Sequence, residues 1–221
     1  MSCNKDKGPE PIKLTTASVN LFTGVDHQIE YSGDDPVTFL SMNDFVAEVS
    51  ASGMITANKV GTTEIKVSNS ANSQSFSVTV DPRYNLFREP ITDWSLTRSE
   101  IILRLGTPLS GTDDGILYIS PGSVEADYEM YLFDSNNKLT SSAVTGSSSH
   151  LVDVSVHLLE RYQLIEDPDY LLFVNNTTVE SSTLSVILDY LNFSEYLALY
   201  ISSTQVKSVQ HDKFQQLIKS H

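Results

Sequence analysis

Val37-Thr-Phe-Leu-Ser-Met-Asn-Asp-Phe-Val-Ala-Glu-Val-Ser-Ala-Ser-Gly-Met-Ile-Thr-Ala-Asn-Lys-Val-Gly61 alternates short apolar runs with turn residues. Val37–Leu40, Phe45–Val49 and Met54–Ala57 are short runs of β-branched and aromatic residues, separated by Ser, Asn, Asp and Gly. Such runs, bounded by turn residues, are strand signals. Gly53 stands where a hairpin turn needs positive φ, and Gly61 breaks the chain before the next run.

Outward from this centre the same texture continues. Ala17–Phe22 alternates, with Val19 and Leu21 on one face, and His27–Tyr31 follows the turn at Gly24. Downstream, Thr62–Val67 and Gln74–Val80 alternate strictly, which predicts burial of Ile65, Val67, Phe76, Val78 and Val80. Seven short strands at roughly ten-residue spacing over residues 12–81 describe a small antiparallel sandwich.

The phrase Val46-Ala-x-Val-Ser50, then Gly53, Ile55-Thr-Ala57 and Gly61, resembles the signature of the bacterial immunoglobulin-like domains of group 2. Phe39 stands where that family usually carries tryptophan before the serine, here Ser41. The resemblance implies a module of bacterial surface proteins, an adhesin element or a stalk, with no catalytic residues. The Asp34-Asp35 and Asn43-Asp44 corners read as solvated turns rather than calcium sites, because hard cations need several oxygens at set spacing.

Residues 1–11 are polar and rich in Pro and Gly, and hold the sole cysteine, Cys3. Ser2-Cys3 resembles the cleavage site of a bacterial lipoprotein, and Cys3-Asn-Lys-Asp resembles the surface-export signal of Bacteroidetes-type lipoproteins. Lys7 replaces the second acidic residue of that signal, and the hydrophobic segment expected upstream is not among these residues. The implied state is a lipid on Cys3, holding a tether at the outer membrane on the cell surface, with the periplasmic face as the alternative. An incidental thiol is the competing reading.

Composition narrows the classes further. With 14 basic against 28 acidic residues the net charge is −14, so the chain is repelled by phosphate backbones and a nucleic-acid partner is not expected. One cysteine excludes an intrachain disulfide and CxxC redox or zinc-knuckle chemistry. No run of 18 apolar residues is present, so the membrane is reached through the N-terminal lipid alone.

Asp81–Pro90 has two prolines and no periodicity, and residues 82–91 read as a linker, with Tyr84, Leu86 and Phe87 in a seam. The texture then changes. Trp94–Leu105 has helical spacing after a cap at Thr92 or Asp93, with Leu96, Ile101, Leu103 and Leu105 as its apolar positions. Gly106 and Pro108 end it. Strands follow at Gly115–Ile119, Tyr128–Phe133 and Leu139–Val144. A second amphipathic helix, His150–Tyr162, shows a stripe of Leu151, Ser155, Leu158, Leu159 and Tyr162. Strands at Tyr170–Val174, Thr183–Tyr190 and Tyr196–Ile201 complete the pattern.

Residues 92–205 thus read α-β-β-β twice, an α+β sheet with helices on one face. The shape, with Leu105-Gly-Thr-Pro108, resembles the β-lactamase-inhibitor-protein fold and small outer-membrane assembly lipoproteins. That implies protein binding on an open sheet face and no enzyme activity. Residues 206–221 form a tail with a helical reading, Val209, Phe214, Leu217 and Ile218 on its apolar side. The fold class expected is multidomain: an all-β Ig-like sandwich, then an α+β domain.

A search for chemistry yields no catalytic residues, no metal site and no cofactor. His150 and His157 lie two turns apart on one predicted helix face, too far to chelate together. No Gly-x-Ser-x-Gly is present, and Asp113-Asp114 and Glu166–Asp169 read as solvated loops. Tyr118, Tyr128, Tyr131, Tyr190, Tyr196 and Tyr200 lie on predicted strands. Where they face outward they suit a protein or glycan partner; otherwise they are core. The expected function is that of a non-enzymatic envelope protein, with the Ig-like module as spacer and the second domain as binder. A periplasmic inhibitor or assembly factor, and a hydrolase with an unrecognised site, are the alternatives.

Overall fold

The computed structural model describes residues 8–34, 36–123, 125–167, 170–205 and 211–219. Cys3 and the tether lie outside the described residues. The chain divides into two compact units, Met1–Arg83 and Tyr84–His221.

The first unit holds β1 (Lys13–Leu14), β2 (Ser18–Phe22), β3 (Asp26–Gln28), β4 (Tyr31–Ser32), β5 (Thr38–Ser41), β6 (Ala47–Val49), β7 (Met54–Ala57), β8 (Gly61–Ser68) and β9 (Ser73–Asp81). Four strands form a sheet in the order β2-β9-β8-β5 and three form another, β3-β7-β6, with β1 and β4 paired separately. All neighbours are antiparallel except β2 and β9, which run parallel, Ser18 beside Ser77 through Phe22 beside Asp81.

The strict alternation of β8 and β9 places Ile65, Val67, Phe76, Val78 and Val80 in the core, with Leu21, Ile29, Ile55 and Ala57. Phe39 packs against this core and meets Tyr31 edge-on at 5.6 Å. Gly53 has φ +81°, and a Cβ there would sit 2.8 Å from the Phe39 ring, so turn and aromatic site constrain each other. Gly61 does not interrupt the chain but opens β8, where a Cβ would sit 3.0 Å from a Val46 methyl. The Asn43 side chain accepts the Phe45 N–H and that of Asp34 accepts the Glu10 N–H, so both corners serve the backbone.

The second unit begins earlier than the sequence suggests. Residues 84–91 are not a linker: Phe87 is buried in its core beside Val154 and Leu158. Then follow α1 (Arg98–Leu105), β10 (Ser110–Gly111), β11 (Gly115–Ile119), β12 (Tyr128–Phe133), β13 (Leu139–Ser147), a 3-10 turn at Ser148–His150, α2 (Leu151–Leu159), β14 (Gln163–Ile165), β15 (Leu171–Val174), β16 (Leu184–Tyr190), β17 (Glu195–Ser202) and α3 (His211–Lys219).

The strands make one antiparallel sheet in the order β10-β11-β12-β13-β17-β16-β15-β14. Each repeat therefore carries four strands rather than three, because the short β10 and β14 pair at the two edges. The last strands of the repeats, β13 and β17, meet at the centre.

Local chemistry explains the helix boundaries. Thr97, not Thr92 or Asp93, caps α1: its hydroxyl accepts the Glu100 N–H while the Glu100 carboxylate accepts the Thr97 N–H, a capping box. Asp93 spends its side chain on the N–H and hydroxyl of Ser95. Leu103, expected on the apolar face, points to solvent. On α2 the buried stripe is Val154, His157 and Leu158, while Leu159 is exposed.

The register separates two faces. Ile116, Tyr131, Ser142, Tyr200, Val186 and Phe173 form one cross-strand row, covered by the cores that include α1, α2 and Phe87. Leu117, Met130, Ala143, Leu199, Ile187 and Leu172 form the opposite row. The expectation of helices on one face and an open sheet on the other fails here. Phe214 and Leu217 of α3 are buried with this second row, and Lys213 bonds Asp114 at 2.8 Å. The helix α3 is thus packed on the core.

Candidate functional site

Four of the six tyrosines singled out from the sequence are core residues. Tyr131, Tyr196 and Tyr200 are fully buried and Tyr118 nearly so, because the sheet face they share lies under the helices. Their hydroxyls bond inward: Tyr118 to Gly106 O, Tyr196 to Glu125 O, Tyr200 to Glu89, Tyr131 to Glu129. Tyr128 is partly buried against the opposite core. Tyr190 alone of the six is largely exposed, at 56%.

Tyr190 ends β16, and beyond it the turn into β17 carries Phe193 wholly in solvent. The turn is built to hold that ring out. Leu191 is buried, and its N–H bonds the Glu195 carbonyl at 2.9 Å. The Asn192 carboxamide accepts both the N–H and the hydroxyl of Ser194 at 2.9 Å and donates to the Glu195 carboxylate. With both neighbours committed, Phe193 has nowhere to pack.

A hollow of about 640 Å³ is lined by Tyr190, Leu191, Asn192 and Phe193. Tyr190 also lines a second hollow, about 380 Å³, with Leu151, Tyr170, Leu171, Leu188, Asp167 and Asp189. Tyr170, Leu171 and Asp167 continue into a third, about 590 Å³, with Leu164, Ile165 and Glu166. The second and third share Asp167, Tyr170 and Leu171, and the first meets the second at Tyr190, so one end of the sheet offers neighbouring hollows of aromatic and aliphatic surface edged by carboxylates. None of the described lining residues is basic. Of these residues the sequence singled out only Tyr190 for binding. The signal for Phe193 was an aromatic between Asn and Ser in a strand-to-strand turn, where a polar residue is the ordinary choice.

Titratable groups gather elsewhere, around residues 84–91. A cleft of about 420 Å³ is lined there by Asn85–Glu89, Pro121, Gly122 and Arg161. Arg161 donates to the carbonyls of Tyr84 and His157 and to Asn85, and Glu160 accepts the Tyr84 N–H at 2.8 Å. Glu89 accepts hydrogen bonds from Tyr162 and Tyr200; burial raises its pKa, and these bonds and Arg161 oppose the rise. Glu129, buried, is held by Arg88 at 2.7 Å and by Tyr131.

His157 packs against Phe87 at a 34° tilt, ring centres 4.3 Å apart, and its Nδ1 accepts the Leu86 N–H. Burial first, then the Arg161 charge, lowers its pKa from 6.5 to about 3. His150 sits at the start of α2, 4.0 Å from Asp153. The carboxylates of Glu89 and Glu129 are thus committed to tyrosine and arginine partners. Among the described residues no three His, Cys, Asp or Glu side chains are grouped to hold a metal, and no helix is long and apolar enough to cross a membrane.

Residues 11–82 match the family of the bacterial Ig-like domain, group 2. This segment is a bacterial Ig-like domain. The Ig-like match ends at Pro82, one residue before the boundary between the two units. No curated protein matches the sequence. Among solved structures, the chain is similar to an intimin mutant from EHEC O157:H7, with 18% identity, 47% of this chain covered and a TM-score of 0.27; it spans 58% of that chain. It is similar also to domains 5–6 of the S-layer protein SbsC, at 10% identity, with 88% and 85% of the two chains covered and a TM-score of 0.27. Human protocadherin-24 EC1-2 follows at 14% identity, 88% and 96% covered, TM-score 0.30. Likenesses at this level carry nothing about partner or activity.

Proposed function

We propose that the chain is a non-enzymatic, lipid-anchored protein of the bacterial cell envelope, in which the Ig-like domain is a spacer and the second unit binds a protein or glycan. The observation that carries the binding role is the aromatic end of the sheet. Phe193 and Tyr190 are presented by a turn that spends its own polar groups on holding them out. Exposed rings beside aliphatic surface lose water favourably on contact with another apolar face, and stack equally on a sugar ring or a side chain. The carboxylates at the rim supply orienting hydrogen-bond acceptors.

The envelope setting is supported by the Ig-like domain and by the Ser2-Cys3-Asn opening. Radiolabelled palmitate incorporation that is lost in Cys3→Ala and blocked by globomycin is the expected result; an unlabelled chain overturns the anchor. Protease treatment of intact cells is expected to remove a surface copy, whereas protection places the protein inside. For the binding role, glycan and peptide arrays probed with the full chain are expected to give signals that Tyr190→Ala with Phe193→Ala abolishes. Signals indifferent to both rings overturn this surface.

A further inference from the structure

The two edges of the eight-stranded sheet are unlike. At β10 only two residues pair, and the chain on either side folds back: the Leu109 N–H bonds Leu117 O at 2.8 Å, and the Thr112 N–H bonds Gly115 O at 2.9 Å. Arg98 lies across this edge, donating to the carbonyls of Asp113 and Gly115. At β14 the described residues show no such fold-back and no arginine across the strand. Gln163-Leu-Ile165 pairs only with β15 among the described strands, in regular register, and contains no lysine, proline or bulge.

An antiparallel ladder turns every second N–H and C=O of an edge strand away from its neighbour. On β14 the Gln163 carboxamide bonds the Leu164 carbonyl at 3.1 Å, so a side chain stands in for a strand donor. Beside the edge lies the 590 Å³ hollow, with Leu164, Leu171 and Tyr170 as apolar lining and Glu166 and Asp167 as its charged members. Leu164 and Leu171 keep 37% and 41% of their surface exposed.

We propose that β14 accepts an extended polypeptide segment bearing basic side chains, which adds to the sheet as a ninth strand. The proposal rests on reading this end of the unit as a binding surface and names the class of partner it takes. Backbone hydrogen bonds along the open edge supply affinity, and alternate side chains of the added strand enter the hollow. Charge selects among occupants. Glu166 and Asp167 favour Lys or Arg on the incoming strand, while a second copy of this chain, at net charge −14, is repelled.

The test is selection of random dodecapeptides displayed on phage against the full chain, followed by affinity measurement on the synthetic winners. Winners are expected to alternate apolar and basic residues. Methylating every second backbone nitrogen of a winner is expected to cost about tenfold or more in affinity, and the interleaved set much less, since only one set faces the edge. Leu164→Lys, with its fold checked by circular dichroism, is expected to abolish binding. Glu166→Gln with Asp167→Asn is expected to weaken it by about tenfold at low salt.

Equal loss from both methylation sets, or winners that ignore Leu164→Lys, overturn strand addition. If such winners or a glycan-array signal still depend on Tyr190 and Phe193, the broader binding surface stands without it. An absence of winners, with no glycan signal that depends on those rings, overturns both.

Discussion

The two halves of the second unit share a plan and differ in what they expose. Each lays down a helix and four strands and ends on a strand at the sheet centre, β13 in one and β17 in the other. In the first half the helix is closed by a capping box, the edge is covered by Arg98, and the hairpin between β12 and β13 is tight and polar. There the Asp134 carboxylate accepts the N–H groups of Asn136 and Lys138. In the second half the helix has no side-chain cap bond, the edge strand carries only the Gln163 carboxamide among the described residues, and the hairpin carries a bare phenylalanine. The centre needs both halves equally, since β13 and β17 bury each other. The periphery does not, and there the first half carries stabilising devices where the second exposes apolar surface.

The largest expected effect tests the buried charges under the helices. Arg88→Ala leaves the buried Glu129 carboxylate with Tyr131 alone, at an expected cost of about 1.5–3 kcal/mol by chemical denaturation. Glu89→Gln in the other cluster keeps a carboxamide oxygen for the two tyrosines and is expected to cost about 1 kcal/mol or less. A similar loss from both ends the distinction.

The next effect is a pH dependence. His157 is held neutral down to about 3, while an unfolded histidine takes a proton near 6.5. Between these values the unfolded chain binds the extra proton, so stability falls as pH falls. The wild type is expected to lose about 1.4 kcal/mol per pH unit in that window beyond what His157→Gln loses. Parallel curves for the two proteins contradict the burial assigned to the ring.

Smaller still is the contrast in capping. Thr97→Ala is expected to cost about 1 kcal/mol, and His150→Ala, at a position with no side-chain cap bond, within about 0.5 kcal/mol. Phe193→Ser is expected to change stability by less than about 0.5 kcal/mol, because the ring touches solvent alone. A large loss there makes the residue structural.

Legibility follows the range of the interactions. In the Ig-like unit alternation and turn chemistry act within a few residues, and Val46–Gly61 sits as its spacing implies. The six longer strands of the second unit were legible for the same reason. What was not legible depends on packing across the chain. Phe87 reads as linker until its contact with His157 is seen, and the tail reads as a helix without a docking site until Phe214 and Leu217 find the sheet. The tyrosines carry one pattern, period two, that assigns them to faces but cannot say which face a helix covers. The β14 edge escaped because three residues are too few to alternate.

The parallel pairing of β2 with β9 has a mechanical consequence. The first long strand and the last run side by side in the same direction over five residue pairs. The chain therefore enters that ladder at one pole and leaves it at the other, about 3.3 Å further along for each paired residue. Tension applied through the two ends pulls these strands past each other along their length. The bonds between them are loaded together in shear, and none is peeled open ahead of the rest.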